Sequence, residues 1–274
     1  MVIFNSIIVR ILWHARLSPK NQTMKLNKIL PVLAFAALTL LGIYAFKSRE
    51  NKKSIPENGF ALVELFTSEG CSSCPPADEL VSRIIKEDKN KAVYVLGYHV
   101  DYWNHLGWRD EFSKAEYSER QRKYATYLHA DVYTPQIVVN GKREFVGSSE
   151  NSLRIAIQAG LRQTGIEPVA LSDVHFSNSI LSLQYQTKNT ANRALLIAFV
   201  QNNARSNVKS GENGGHVLNH VNIVRYLESI KLNKTNSTEN IKLPAGFSTQ
   251  TWQVIGFVQN IATGEVLSAQ RIMN

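Results

Sequence analysis

The chain has 274 residues, room for one large or two modest domains. Its formal charge of +9 invites a nucleic-acid partner, but residues 1–53 carry nine Lys/Arg against one acid, and the remainder carries 22 basic and 21 acidic residues. A nearly neutral body without a basic stripe does not suit a phosphate backbone, so nucleic acid is not an expected partner.

The excess charge flanks Ile29 to Phe46, 18 residues without a charge, with Lys25 and Lys28 before it and Lys47, Arg49, Lys52 and Lys53 after it. Basic residues ahead of an apolar run predict a secretory signal, with Met24 as its natural start and Ile43-Tyr44-Ala45 as a cleavage site. The run is also long enough to remain as a single membrane anchor. No cysteine follows it, so a lipid-modified N-terminus is not indicated. Residues 1–57 therefore read as an N-terminal extension, a signal or anchor segment (about 24–46) and a linker. Either outcome puts the folded part outside the cytoplasm (periplasmic, secreted or anchored facing outward), where disulfides persist.

Phe60 to Phe66 is an apolar run that reads as a buried strand. It leads into Phe66-Thr67-Ser68-Glu69-Gly70-Cys71-Ser72-Ser73-Cys74-Pro75-Pro76, which holds the only two cysteines of the chain. Ala77 to Lys86 follows as a helix with Leu80, Ile84 and Ile85 on one face. A Cys-x-x-Cys pair between strand and helix lets two thiols form and break a disulfide without moving the backbone. A passive staple is the bland alternative, but closing so short a loop removes only about 2 kcal/mol of unfolded-state freedom. A metal site is the third.

Helix N–H groups near Cys71 would favour its thiolate. Pro75 and Pro76 suit a first helical turn, however, and move the expected helix start toward Cys74, leaving Cys71 ahead of it. Cys71 is then the expected nucleophile and Cys74 the resolving thiol, with Ser72 and Ser73 as hydroxyl donors or plain caps.

Ala92 to His99 reads as a second central strand. A turn-rich aromatic segment runs from Val100 to Asp110. Within it and at its edge, His99 and Asp101 are candidate proton carriers for the cysteines or loop-holding groups, with His105 a further histidine of the same loop. Trp103 and Trp108 would line a groove or close the core, and Arg109 reads as a solvated charge. Ser113 to His129 has helical composition, with Ser113 as N-cap and Glu116 three residues on. Tyr133-Thr134-Pro135-Gln136 then leads into a strand at Ile137 to Val139, an Asn140-Gly141 hairpin turn and a return strand at Arg143 to Val146. Ser149 caps a last helix, Glu150 to Arg162.

From Glu167 the pattern turns to strands: Val169 to His175, Ile180 to Gln186, Ala194 to Gln201, Val221 to Leu227, Gln250 to Val258 and Glu265 to Ile272. Alternation at Leu181, Leu183 and Tyr185 and turns between the runs predict an antiparallel β-sandwich over 166–274. Lys231 to Glu239 reads as a polar loop. Asn202 to Asn219 reads as a glycine-rich loop that either reaches the cysteines or merely joins a hairpin. His216 and His220 lack a third ligand, so no metal and no cofactor is expected.

The order β-α-β-α-β-β-α over 58–165 resembles a thioredoxin-like domain. That likeness implies a cis Pro135, after Thr134, facing Cys71 and Cys74. A longer resemblance is to the DUF1223 family, secreted thioredoxin-like proteins of uncharacterised function. It is carried by Phe66 to Asp78, by His99-Val100-Asp101-Tyr102-Trp103, by Tyr133-Thr134-Pro135-Gln136 and by Gly211-Glu212-Asn213-Gly214. The expected fold is thus an α/β thioredoxin-like domain followed by an antiparallel β-sandwich. The expected activity is extracytoplasmic thiol–disulfide exchange with a protein or small-molecule thiol or disulfide. A secreted binding module with an inert disulfide is one alternative; copper handling by both thiols and His99 is another. The exchange reading requires both sulfurs to be reachable from outside.

Overall fold

The computed structural model describes residues 59–166 and 169–273. The signal or anchor segment lies outside them, and no helix among the described residues is long and apolar enough to cross a membrane. In chain order the elements are β1 (Ala61–Thr67), α1 (Pro75–Glu87), β2 (Val93–His99), a 3₁₀ turn (Asn104–Leu106) and α2 (Ala115–Leu128), then β3 (Gln136–Val139), β4 (Arg143–Val146) and α3 (Glu150–Leu161). Seven strands complete the chain: β5 (Ala170–Ser177), β6 (Ile180–Gln186), β7 (Arg193–Asn207), β8 (Val217–Lys231), β9 (Asn236–Lys242), β10 (Trp252–Asn260) and β11 (Val266–Met273).

The protein is a mixed α/β fold with two sheets. The larger has eight strands in the order β11-β10-β7-β8-β2-β1-β3-β4, and the smaller is β5-β6-β9. Every residue of β1 is buried, as expected for a central strand covered on both faces. Its alternation divides the core. Ala61, Val63 and Leu65 meet Ala77, Leu80, Val81 and Ile84 of α1 and Leu153, Ala156 and Ile157 of α3. Leu62 and Phe66 face the other way, toward Tyr117 and Tyr124 of α2 and Leu196, Val200, Ile255 and Phe257 of the later strands.

Four strands expected in a separate sandwich (β7, β8, β10 and β11) instead continue the large sheet. β8 joins β2 in parallel at Gly97↔Ile223, and the seam is held by side chains as well. Asn222 Nδ2 donates to the Val95 carbonyl and the Tyr117 hydroxyl to the Val224 carbonyl. The small antiparallel sheet packs Leu181, Leu183, Tyr185 and Ile241 with Leu195, Ile197, Phe199, Trp252 and Val254 of the large one.

Polar sequence concealed strand in two places. β9 takes up the last four residues of the expected Lys231–Glu239 loop, and only Ile241 within the strand is buried. It pairs with β6 from Ile180↔Lys242 to Gln186↔Asn236, so ladder hydrogen bonds rather than apolar burial form it. β7 and β8 likewise run on as a polar two-stranded ribbon as far as Asn207↔Val217, shrinking the expected Asn202–Asn219 loop to residues 208–216.

Two caps also differ. Lys114, in extended backbone, precedes α2, while the expected cap Ser113 donates its hydroxyl to the Asp110 carbonyl. Ser149 does precede α3, but its hydroxyl meets Ser152 Oγ and caps no backbone N–H.

Candidate functional site

β1 ends at Thr67, and the chain turns through Ser68 to Gly70 into the cysteines. Cys71 and Cys74 form a disulfide with their Cα atoms 5.5 Å apart. Cys74 is the N-cap of α1, and its carbonyl accepts from the Ala77 and Asp78 N–H groups. Pro75 and Pro76 fill the first turn, where amides lack partners, so Cys71 lies ahead of the helix as the prolines predicted. Ser73 Oγ lies 3.3 Å from Cys71 Sγ.

Both cysteines are closed off, at 0% and 1% exposure, and the reachable sulfurs expected from the sequence are not found. The cover is the 208–216 loop at the tip of the β7–β8 ribbon. The buried Asn213 donates both hydrogens of its amide nitrogen, one to the Glu69 carbonyl and one to the Cys71 carbonyl, each at 2.9 Å. Glu212 Oε2 accepts from the Ser72 N–H at 2.9 Å and the Ser72 hydroxyl at 2.7 Å. These bonds hold the Glu212 carboxyl below its ordinary range. Ser210 Oγ donates to the Gly107 carbonyl of the aromatic segment at 2.5 Å.

The Thr134–Pro135 bond is cis, and Pro135 is buried. Gly147 separates Pro135 from α1. A Cβ built on Gly147 would lie 2.9 Å from Pro135 Cβ, 3.1 Å from Leu65 Cδ1 and 3.2 Å from Ala77 Cβ. Only glycine lets the proline close against the helix start beside Cys74. Trp103 Nε1 donates to Thr134 Oγ1 at 2.8 Å, and a Cβ on Gly70 would meet Trp103 Cβ at 3.0 Å. The aromatic segment therefore bridges the proline loop and the cysteine turn.

Beneath the turn lies a group of buried charges. Thr67 and His99 are register partners at the ends of the parallel strands β1 and β2. His99 Nδ1 meets Asp110 Oδ2 at 2.6 Å, and the same carboxylate accepts from the Glu69 and Phe112 N–H groups. Burial pushes the Asp110 pKa upward, but the His99 charge and these bonds outweigh it and hold the carboxyl below its usual range. Glu69, fully buried, accepts from Trp108 Nε1 at 2.6 Å and meets His220 Nε2 at 3.2 Å. His220 Nδ1 lies 3.9 Å from Asp78 Oδ1, an ion-pair separation too long for a hydrogen bond, while Asp78 Oδ2 accepts from the Thr67 hydroxyl. Burial works against a charged His220, yet Asp78 and Glu69 carry its pKa up to about 9. The two imidazole rings stand edge to face at 4.8 Å.

Of the residues singled out by sequence, Cys71, Cys74, Ser72, Ser73, Thr134, Pro135 and Trp103 thus come together at one end of the sheet. His99 is there too, one layer below. Asp101 instead pairs with Ser118 at the start of α2, its N–H donating to the serine oxygen and its carboxylate accepting from the hydroxyl. His105 stays exposed against the Tyr102 carbonyl. Sequence reasoning did not single out Glu69, Asp78, Asp110, Glu212 and Asn213. Carboxylates placed among apolar and glycine residues were the available signal. Among the described residues no three His, Cys, Asp or Glu side chains are grouped as metal ligands.

Fold and site together define a mixed α/β protein whose Cys-x-x-Cys disulfide sits at a strand-to-helix junction over a buried charge cluster. The chain belongs to the family described as "Protein of unknown function (DUF1223)", whose model matches residues 62–259. No curated protein matches the sequence. Among solved structures it is similar to protein AGR_C_4864 from Agrobacterium tumefaciens, at 27% identity and a TM-score of 0.62, over 78% of this chain and 93% of that one. A domain of the outer membrane lipoprotein Omp28 from Porphyromonas gingivalis also matches, at 12% identity and a TM-score of 0.22, over 40% of this chain and 89% of that one.

Proposed function

We propose that the protein is an extracytoplasmic thiol–disulfide exchange protein whose cysteine pair belongs to a thioredoxin-like unit, residues 58–165. The observation that carries this reading is the Cys71–Cys74 disulfide at the strand-to-helix junction, with Pro135 packed across Gly147 from Ala77 in the first turn of α1. The buried cluster adds support. A passive staple has no use for three carboxylates and two imidazoles held out of water beside it, because burying charge is expensive.

The closed form leaves neither sulfur reachable, so exchange requires the 208–216 loop to lift first; a substrate thiolate then attacks Cys71 Sγ, the Cys71–Cys74 bond breaks and Cys74 leaves as thiolate. A second substrate thiolate then attacks the substrate sulfur of the mixed disulfide and releases Cys71. Two electrons and two protons pass from a substrate dithiol to the cysteine pair, leaving a substrate disulfide; the reverse sequence oxidises the protein's dithiol. The partner is a protein or small molecule carrying a thiol or disulfide.

One observation favours a second reading, a secreted binding module with an inert disulfide: neither cysteine exceeds 1% exposure. Trapping separates the two. In cells, Cys74→Ser is expected to accumulate mixed disulfides on Cys71 that vanish on reduction and in the Cys71→Ser, Cys74→Ser double variant. Absence of any adduct on Cys74→Ser would sink the exchange reading and leave the binding module.

A further inference from the structure

We infer that Ser72 forms an anion subsite beside Cys71, that Glu212 of the 208–216 loop occupies it in this closed form, and that the substrate presents a carboxylate that displaces Glu212. The inference rests on the exchange reading above and names its substrate class.

The subsite consists of two donors on one residue. The Ser72 N–H and hydroxyl both point at a single carboxylate oxygen, Glu212 Oε2, at 2.9 and 2.7 Å. Ser72 follows Cys71 directly, so whatever occupies these donors stands next to the sulfur that is attacked. Hydrogen bonds from a neutral N–H and O–H to a carboxylate are stronger than those to a neutral acceptor, so the pair selects negative charge.

The occupant is built to leave. Ser72 and Glu212 are exposed, in contrast to the cysteines. Glu212 sits between Gly211 and Asn213 in a loop with positive φ at Gly211 and Gly215, closed on itself by bonds between Val208 and Gly215 and His216. Deeper anchorage comes from Asn213, whose amide takes the Glu69 and Cys71 carbonyls, groups that an incoming chain's own amides can satisfy. The loop therefore fills the positions next to Cys71 in the manner of a bound acidic segment. A carboxylate-bearing substrate replaces its contacts one for one, whereas a neutral or cationic thiol leaves Ser72 unmatched.

The test uses the oxidised full chain and three small thiols: 3-mercaptopropionate (anionic), 2-mercaptoethanol (neutral) and cysteamine (cationic). Loss of the Cys71–Cys74 disulfide is followed by alkylation and mass spectrometry, with rates expressed per thiolate. In Glu212→Ala the neutral thiol is expected to react about threefold to tenfold faster, since two hydrogen bonds that hold the cover are gone. With the subsite empty, mercaptopropionate is expected to gain about tenfold more than cysteamine, a selectivity absent in the parent protein. Adding Ser72→Ala to Glu212→Ala should shrink that selectivity while keeping the faster neutral reaction. Equal acceleration of all three thiols would mean a cover without an anion subsite and would overturn the inference. So would unchanged rates in a variant whose circular dichroism matches the parent. Because only added thiols are used, a selective gain together with no trapped partner on Cys74→Ser would sink the exchange reading alone.

Discussion

The protein buries charge in two places, and they are built differently. Under α2, the Glu64 carboxylate is gripped by Arg120, with Nε to Oε2 at 2.6 Å and a second guanidinium nitrogen to Oε1 at 3.0 Å. Tyr124 donates to the same carboxylate, and Gln259 Nε2 donates to the Tyr124 hydroxyl and to the Gly264 carbonyl. One carboxylate meets one guanidinium there, and both oxygens of Glu64 accept hydrogen bonds, although the neighbouring Tyr98 hydroxyl is buried without a partner. At the cysteine end, the ion-pair partners of Glu69, Asp78 and Asp110 among the described residues are the imidazoles His99 and His220, and His220 Nδ1 is buried without a hydrogen-bond partner. The first cluster is balanced and fixed. The second sets three carboxylates against two imidazoles, and its carboxylates carry the His220 pKa up to about 9.

The contrast can be broken most forcefully at Arg120. Arg120→Met leaves Glu64 buried and unpaired and should remove roughly 3–5 kcal/mol of stability. Urea unfolding measures the loss, and thiol reduction of the Cys71–Cys74 disulfide in the folded variant should proceed at the parent rate. A slowed or accelerated reduction would mean that the two clusters are not independent.

His220 sharpens the other side. Its pKa is raised in the folded protein to about 9 from 6.5, so the stability it contributes is fully present below about pH 6.5. That stability declines as pH rises and is gone once pH has passed through about 9. By linkage, the shift corresponds to something on the order of 3 kcal/mol. The difference in unfolding free energy between the parent and His220→Gln, measured from pH 6 to pH 10, should shrink by that order. A flat difference would show that His220 is neutral in its site.

The disulfide itself should matter less to stability than either. Cys71→Ser, Cys74→Ser removes a bridge with a sequence separation of three, which constrains the unfolded chain by only about 2 kcal/mol. A calorimetric loss well above that would favour the staple over the tool.

Much of this end of the molecule was legible in the sequence. The apolar run into Thr67, the cysteine spacing and the two prolines located a strand, a turn and a helix that begins at Cys74 rather than Cys71, because these are local chemistry within a dozen residues. The hairpin at Asn140-Gly141 was readable for the same reason: positive φ at both residues suits asparagine and glycine. β9 and the far ends of β7 and β8 were not readable, since their residues are polar and their hydrogen-bond partners lie across the sheet. The pairing of Asp110 with His99 and of Glu69 with His220 was also hidden, for an acid and an imidazole become a buried pair only through the strands that surround them.

By itself, then, the sequence determined the family, the central strand, the cysteine pair and the Thr134-Pro135 step ahead of β3, each written in contiguous residues with a strong local preference. Tertiary structure alone decided that the later strands extend the first sheet and that Asn213 and Glu212 tie the 208–216 loop to Glu69, Cys71 and Ser72. It also decided that three carboxylates share one dry space. Those outcomes depend on contacts as far apart as Ser72 and Glu212, 140 residues along the chain, and no local pattern records which distant partner will satisfy a buried polar group.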